Sequence, residues 1–540
     1  MNGGEALVAT LLEHGVTTAF CVPGESYLAV LEALRRHGNA IRLITHRHES
    51  GAAFAANGYA KISACPGIVL VSRGPGAANA AIGIHTAAQD SVPLVLLVGQ
   101  VPSHEIGREA FQEIDYAAFY GTVAKAVIEP ASASDVADAT ARALSIATTG
   151  RPGPVVVVLP EDITLGDAGT PVIPGPVAGF STRASADELE RAASMIEGAD
   201  RVLVLAGEMV RHEAAHTQLD HLARRSGAAV ASAFRCQDCL SNDHEAYAGS
   251  FATGRAAYLD VAWDEADLVV VAGARFDAIS SADFLFTDGS KPLVVIHPDA
   301  ATVAALRPRL GLVSDVGPAL DAIASRLAAP TPARLAWRAV LKDAWTRFQK
   351  EAPAARGLVD MTAIVRHVNR RLASEDHVVT NDAGNFSTWV QRHFRYRLPA
   401  SQAGPMSGAM GYGVPAALGA ALARPGARVV AFAGDGGFMM TGQELTIAVE
   451  NALRVIAIVC DNGHYGTILM HQQRYAGPEN TIAVALESPD FRAIGTAYGA
   501  PSWRVRRTEE FATAFDEALG LDGPALIHVV TDIRDLSAGS

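Results

Sequence analysis

The run AFAGDGGFMMTGQELTIAVENALRVIAIVCDNGHYG holds the residues whose spacing most narrowly defines a chemistry. An apolar stretch, 429–433, leads straight into Gly434, Asp435, Gly436 and Gly437, and a second leads into Asp461, Asn462, Gly463 and His464. Asn462 follows Asp435 by 27 positions. If the two stretches are neighbouring parallel strands, a carboxylate and an amide oxygen emerge at one C-terminal sheet edge. That is where loops of an open α/β sheet converge on ligands. Those two oxygens, with the backbone carbonyl of His464, suit Mg²⁺, a hard ion that prefers oxygen ligands in an octahedral shell. The glycines let the backbone approach a diphosphate closely, and the helix that follows offers free N–H groups. A tight β–α turn without a ligand explains GDG alone. The second loop at this spacing argues for cation-assisted diphosphate binding.

Such loops need parallel strands behind them. Short β-branched runs alternate with Ala-rich stretches along the whole chain. The runs 16–20, 67–72, 93–99 and 153–160 read as strands, with flanks such as 52–62 as helices. A second series follows at 201–207, 227–232, 266–274 and 291–299, and a third at 377–384, 427–436, 453–463 and 524–530. Uninterrupted apolar strands fit sheets covered by helices on both faces. The stretch 166–188, rich in Gly, Pro, Ser and Thr, reads as a linker, and 325–357 as a second boundary. The predicted class is α/β, with three consecutive parallel-sheet α/β domains at 1–165, 185–330 and 355–540. The first and third thirds alternate alike, though pattern alone does not make their folds related.

Bulk properties remove other classes. With 540 residues, 49 % hydrophobic and 19 % charged, the chain is neither disordered nor an extended coil. A net charge of −13 with scattered basic residues argues against nucleic acid as partner. The opening MNGGEALVAT lacks an export signal, and apolar segments break before the length of a membrane span, so cytoplasm and no membrane partner are expected. Cys236 and Cys239 form a CxxC without a matching second pair, a poor case for metal or redox use.

On these motifs the sequence resembles the thiamine diphosphate-dependent decarboxylase and acetohydroxyacid synthase superfamily over essentially its whole length, most nearly acetolactate synthase-like proteins. The resemblance implies a thiamine diphosphate-binding fold with pyrimidine-binding, central and diphosphate-binding domains. It implies thiamine diphosphate and Mg²⁺ as cofactors, with Asp435 and Asn462 as side-chain ligands and His464 as the backbone ligand. Within IRLITHRHESGAAFAANGYAKI, Glu49 takes the place of the glutamate that meets the pyrimidine ring. There it would stabilise the imino tautomer, whose nitrogen removes the thiazolium proton, and burial would keep Glu49 protonated. A surface pair with Arg47 is the plainer reading of Glu49. In SGAMGYGVPAALGAAL, Met410 falls at the position that supports the bent cofactor, although methionine often only fills a core. In NDAGNFSTW, Asn385 replaces a glutamine that reaches the diphosphate, and Phe386 replaces a histidine.

With a 2-oxo acid, loss of CO₂ leaves a carbanion equivalent. Protonation makes the enzyme a decarboxylase, attack on a second carbonyl makes it a carboligase, and electron removal makes it an oxidase. The stretch 71–115 is most similar to acetohydroxyacid synthases, through Gln100 in GQVP and Phe111 and Gln112 in AFQE. Lys125 falls at the spacing of a lysine near their substrate channel. The paired histidines of simple pyruvate decarboxylases do not occur, and bulky residues around a dry pocket would favour ligation. Some positions depart from the pattern. Glu25 in PGESY replaces a small residue and could be catalytic, select substrate or face solvent. His85 in GIHTAA could donate a proton or be a satisfied buried histidine. His471 stands where a tryptophan shapes the acceptor pocket, and the ending TDIRDLSAGS leaves no long C-terminal lid.

GARFD resembles the central-domain segment that meets FAD, which places Arg275 near a flavin. IHPDA and AGEMV depart from the nucleotide-contact pattern, and an Arg–Asp pair at a strand end reads equally well. FAD stays open. The family pairs the first domain of one subunit with the third of another, implying a homodimer or homotetramer with shared sites. The expected activity is an acetolactate synthase-like carboligase acting on a 2-oxo acid such as pyruvate and a carbonyl acceptor. A non-oxidative 2-oxo-acid decarboxylase, or another carbon–carbon lyase or hydrolase, is the alternative, and a non-enzymatic cofactor-binding homologue a third.

Overall fold

The computed structural model describes residues 1–177 and 181–539. Its strands form three sheets of six, and every pairing within them is parallel. The first comprises β1 (Thr18–Cys21), β2 (Arg42–Thr45), β3 (Gly67–Val71), β4 (Leu94–Gln100), β5 (Ala126–Ile128) and β6 (Pro154–Pro160). The second comprises β7 (Val202–Ala206), β8 (Ala229–Ser232), β9 (Tyr247–Ser250), β10 (Leu268–Ala272), β11 (Leu293–His297) and β12 (Leu310–Val313). The third comprises β13 (His377–Asn381), β14 (Gln402–Ala403), β15 (Arg428–Gly434), β16 (Val455–Asp461), β17 (Ser502–Val505) and β18 (Ala525–Val530). Runs such as Val155–Val158 and Val429–Ala433 are buried along their length, because helices cover both faces of each sheet.

The first and third sheets share one strand order. It is β2-β1-β3-β4-β6-β5 in the first and β14-β13-β15-β16-β18-β17 in the third. The likeness of alternation in the two thirds of the sequence is therefore a likeness of topology. The second sheet differs, running β12-β11-β10-β7-β8-β9.

Small residues join the first domain to the third. Helix Glu49–Ser63 is rich in Ala and Gly and lies against helix Gly413–Ala423, which is nearly all small residues. A Cβ added at Gly58 would stand 2.4 Å from Ala416 O, and one at Gly419 would stand 1.9 Å from Ala55 O. The backbones thus approach as closely as they do only because both positions lack a side chain. Ala52, Ala56, Val414 and Leu418 belong to one hydrophobic cluster that crosses between the domains. Polar contacts fix the register: His46 Nδ1 lies 2.9 Å from Glu444 Oε2 with both side chains fully buried, and Tyr412 donates to Asn57 Oδ1 at 2.7 Å. Among the described residues no helix is long and apolar enough to cross a membrane.

Candidate active site

The third sheet reverses direction of winding between β13 and β15, and a cleft opens at their C-terminal ends. It encloses about 910 Å³, counting the part open to solvent. Four loops line it: Ala383, Gly384, Asn385 and Phe386 after β13; Gly434, Asp435, Gly436 and Gly437 at β15; Asn462, His464, Tyr465 and Thr467 after β16; and Thr531 after β18. Met410 and Gly408 complete one side. Asp535 and Leu536 also line it, so the short terminal segment itself forms part of the wall.

Asp435 is 5 % exposed and ties the two ligand loops together. Its Oδ1 accepts the Gly436 N–H at 2.8 Å and its Oδ2 accepts the Gly463 N–H at 2.8 Å. Burial pushes its carboxyl pKa up to about 6, and the neighbouring Asp461 carboxylate adds to the rise. Burial also works against the charge on Asp461, but hydrogen bonds led by that from His528 hold its carboxyl below the usual range. His528 Nε2 lies 2.8 Å from Asp461 Oδ2. A divalent cation beside Asp435 would offset the burial that disfavours its charge. The Asn462 Oδ1 accepts the His464 N–H at 3.0 Å, and the His464 carbonyl accepts the Gly466 N–H at 2.8 Å. Each oxygen keeps a second lone pair, so a carboxylate, an amide oxygen and a carbonyl form a donor set that fits Mg²⁺.

The glycines are demanded by their neighbours. A Cβ at Gly436 would lie 2.6 Å from the Tyr465 ring, and one at Gly437 would lie 2.6 Å from Asp382 Oδ2. This bare backbone beside the oxygen donors fits a diphosphate held through a cation. Asp382 is a residue that the motifs did not single out. It follows β13 directly and is buried, its pKa raised to about 6 by that burial, and it accepts N–H groups from Ala383, Gly411 and Tyr412. It thereby fixes the segment carrying Met410 against the Gly437 turn. Its only sequence signal is an acid placed directly after a buried strand.

Several expected residues stand elsewhere. Asn385 lines the cleft, but its Oδ1 accepts from Thr467 at 3.0 Å and its Nδ2 faces Met470 Sδ at 3.8 Å. Phe386 packs its ring against Gly434. His471 lies outside the cleft, in an adjoining chamber that shares Asn385 and Thr467 with it. Glu49 opens its helix at the C-terminal edge of the first sheet and does not line the cleft of its own chain. It is half-buried rather than buried, and Asn79 donates to its Oε2 at 2.9 Å. Arg47 pairs with Glu450, so the surface-pair reading of Glu49 does not hold within this chain.

The same edge carries most of the proposed substrate residues, several committed to other tasks. Glu25 is exposed and paired with Arg73 at 3.0 Å. His85 is exposed, against the reading of a buried histidine. Gln100 donates to Ile114 O at 3.1 Å and accepts from Val101 N at 3.0 Å, so it pins its own loop. Phe111 is 73 % exposed. Gln112 adopts φ +65° and its carbonyl accepts from Gly74. Lys125 is drawn away from any channel, its ammonium bonded to the carbonyls of Ile146, Thr149 and Arg151 at 2.5, 2.8 and 2.9 Å. Those are carbonyls at and beyond a helix C-terminus, which a cation satisfies well. Cys236 and Cys239 are buried free thiols, and no group of three or more His, Cys, Asp or Glu side chains suited to a metal occurs among the described residues. Arg275 and Asp277 do pair, at 3.8 Å.

Comparison with known proteins agrees with this layout. Residues 1–119 match the N-terminal TPP binding domain of thiamine pyrophosphate enzymes, 189–323 their central domain and 382–529 their C-terminal TPP binding domain. The chain is 30 % identical to the probable acetolactate synthase large subunit of Methanocaldococcus jannaschii, over 98 % of this chain and 92 % of that protein. It is 29 % identical to the acetolactate synthase isozyme 2 large subunit of Escherichia coli, over 98 % and 96 %. To the isozyme 1 large subunit of the same organism it is 30 % identical, over 99 % and 94 %.

Proposed function

The chain belongs to the thiamine pyrophosphate enzymes, and from that premise we propose that it is an acetolactate synthase-like carboligase. It would decarboxylate a 2-oxo acid such as pyruvate and join the remaining acyl unit to a second carbonyl compound. The observation that carries the reading is the convergence of Asp435, Asn462 and the His464 carbonyl on one cleft, in a chain similar end to end to acetolactate synthase large subunits.

Asp435, Asn462 and the His464 carbonyl would hold Mg²⁺, and Gly434, Gly436, Gly437 and Asn385, which line the same cleft, would face the diphosphate. Met410, on one wall of the cleft, would support the bound cofactor. Thiamine diphosphate, when bound, would supply a nucleophilic carbon and an electron sink for the pair left behind when CO₂ departs. Glu49 would meet the pyrimidine ring, with Asn79 orienting its carboxyl group. Because Glu49 does not line the cleft of its own chain, a second copy brings it there, so the working unit is a homodimer or homotetramer with shared sites. Phe386, Met410, Ile468 and Leu536 give the cleft apolar wall that limits water at the reacting carbon. That favours capture by a carbonyl over protonation.

The test is product identification from purified protein with thiamine diphosphate, Mg²⁺, a panel of 2-oxo acids and aldehyde acceptors. Acetolactate or another acyloin is the expected product. Aldehyde and CO₂ alone would make the protein a decarboxylase instead.

A further inference from the structure

Counted within its own domain, the central sheet has the order 3-2-1-4-5-6, which reverses between β7 and β10. A dinucleotide enters such a sheet through the crevice between the loops after those two strands, its diphosphate over the helix that follows the first. Here that crevice is shut. A Cβ on Gly207, directly after β7, would lie 2.3 Å from the Cα of Ala274, two residues past the end of β10. The two loops therefore touch backbone to backbone.

The position next to the closure is occupied by an acid. Glu208 is 5 % exposed, and its Oε1 accepts the Arg275 N–H at 3.2 Å and lies 3.3 Å from Arg275 Nε. Ser91, just past helix Gly74–Asp90 of the first domain, donates to the same oxygen at 3.5 Å. Arg275 donates to Gln89 Oε1 of that helix at 3.3 Å, and Arg151 donates to Ser91 Oγ at 2.9 Å and to Ala88 O at 2.6 Å. Asp277 Oδ2 lies 3.8 Å from Arg275 Nη2, so Arg275 is shared between two carboxylates. A flavin diphosphate arriving here would meet the Glu208 carboxylate at close range and find the arginine already paired. Both effects oppose binding of an anion.

We propose that the central domain binds no flavin dinucleotide, and that Glu208 and Arg275 instead clasp it to the end of the first domain's helix. The residues that make a nucleotide crevice in a sheet of this order have become an interdomain joint. This holds whether the chain ligates or only decarboxylates, since neither outcome needs an electron acceptor.

The experiment uses the full chain loaded with thiamine diphosphate and Mg²⁺, titrated against FAD and followed by flavin fluorescence. No saturable change is expected, and initial rates with FAD in large molar excess should equal those without it. Saturable stoichiometric quenching, or flavin carried through purification, would overturn the proposal. Arg275→Met supplies a second reading. A joint residue predicts a lower thermal midpoint, unaltered by FAD, in the variant. If FAD raises the midpoint of the parent and Arg275→Met abolishes that rise, Arg275 is a flavin ligand and the proposal fails.

Discussion

Asp435 Oδ2 accepts the backbone N–H of Gly463 at 2.8 Å, so the turn after β15 is tied to the turn after β16 through the carboxylate that is the best candidate metal ligand. One side chain thus sets both the position of an oxygen donor and the spacing of the loop that carries Asn462 and His464. Asp435→Ala removes both. Cation-dependent binding of thiamine diphosphate should weaken by more than the roughly 10- to 100-fold typical of losing an outer-shell partner. Fluorescence titrations with and without Mg²⁺ measure it. Matching curves for parent and variant would remove Asp435 from the site.

The proposed sharing of the site between two chains makes a complementation test available. Glu49→Gln and Asp435→Ala proteins should each be inactive as homo-oligomers. Mixed after mild dissociation and reassociation, they should regain activity, because a mixed dimer pairs one intact Glu49 with one intact Asp435. No recovery, with mixed oligomers demonstrated by mass spectrometry, would place both residues in one chain's site.

The close packing of helices Glu49–Ser63 and Gly413–Ala423 sets where Glu49 stands. A methyl group at position 419 would lie 1.9 Å from Ala55 O, against backbone that cannot swing aside. Gly419→Ala should therefore cost about 1–3 kcal/mol of stability. Chemical denaturation followed by tryptophan fluorescence reports it, and an unchanged midpoint would mean that the helices are farther apart than described.

Acid should weaken the protein through its buried neutral histidines. Burial, the largest influence on His297, takes its pKa down from 6.5 to about 4. Between those values the unfolded chain binds a proton that the folded chain refuses, so stability falls as pH drops from about 6.5 toward 4 and is complete above that window. The loss attributable to this residue is roughly 3 kcal/mol. His297→Gln should flatten the fall of thermal midpoint with acid, and an equal slope in parent and variant would contradict the assignment.

What the sequence revealed and what it hid follow from burial. Every apolar run read as a strand overlaps one, whereas β2, β5, β9, β12, β14 and β17 were not foreseen. Those are the two edge strands of each sheet. Edge strands are short and covered less completely, so β2 and β17 mix exposed or half-buried positions with buried ones and carry no continuous apolar signal. The cleft was legible because its donors sit at the ends of two central strands, where residue type and strand end coincide. Lys125 and Gln100 were not, since their partners are backbone carbonyls and amides, and a carbonyl such as Ile146 O leaves no mark in residue identity. Asp382 escaped for a related reason: it acts on N–H groups of Gly411 and Tyr412, far along the chain.

The role given to Glu49 is tested most directly by the rate at which the thiazolium proton of bound thiamine diphosphate exchanges with solvent, followed by NMR in parent and Glu49→Gln. With the cofactor still bound, exchange should slow by about 10²- to 10⁴-fold in the variant. Exchange at the parent rate would show that Glu49 does not meet the pyrimidine.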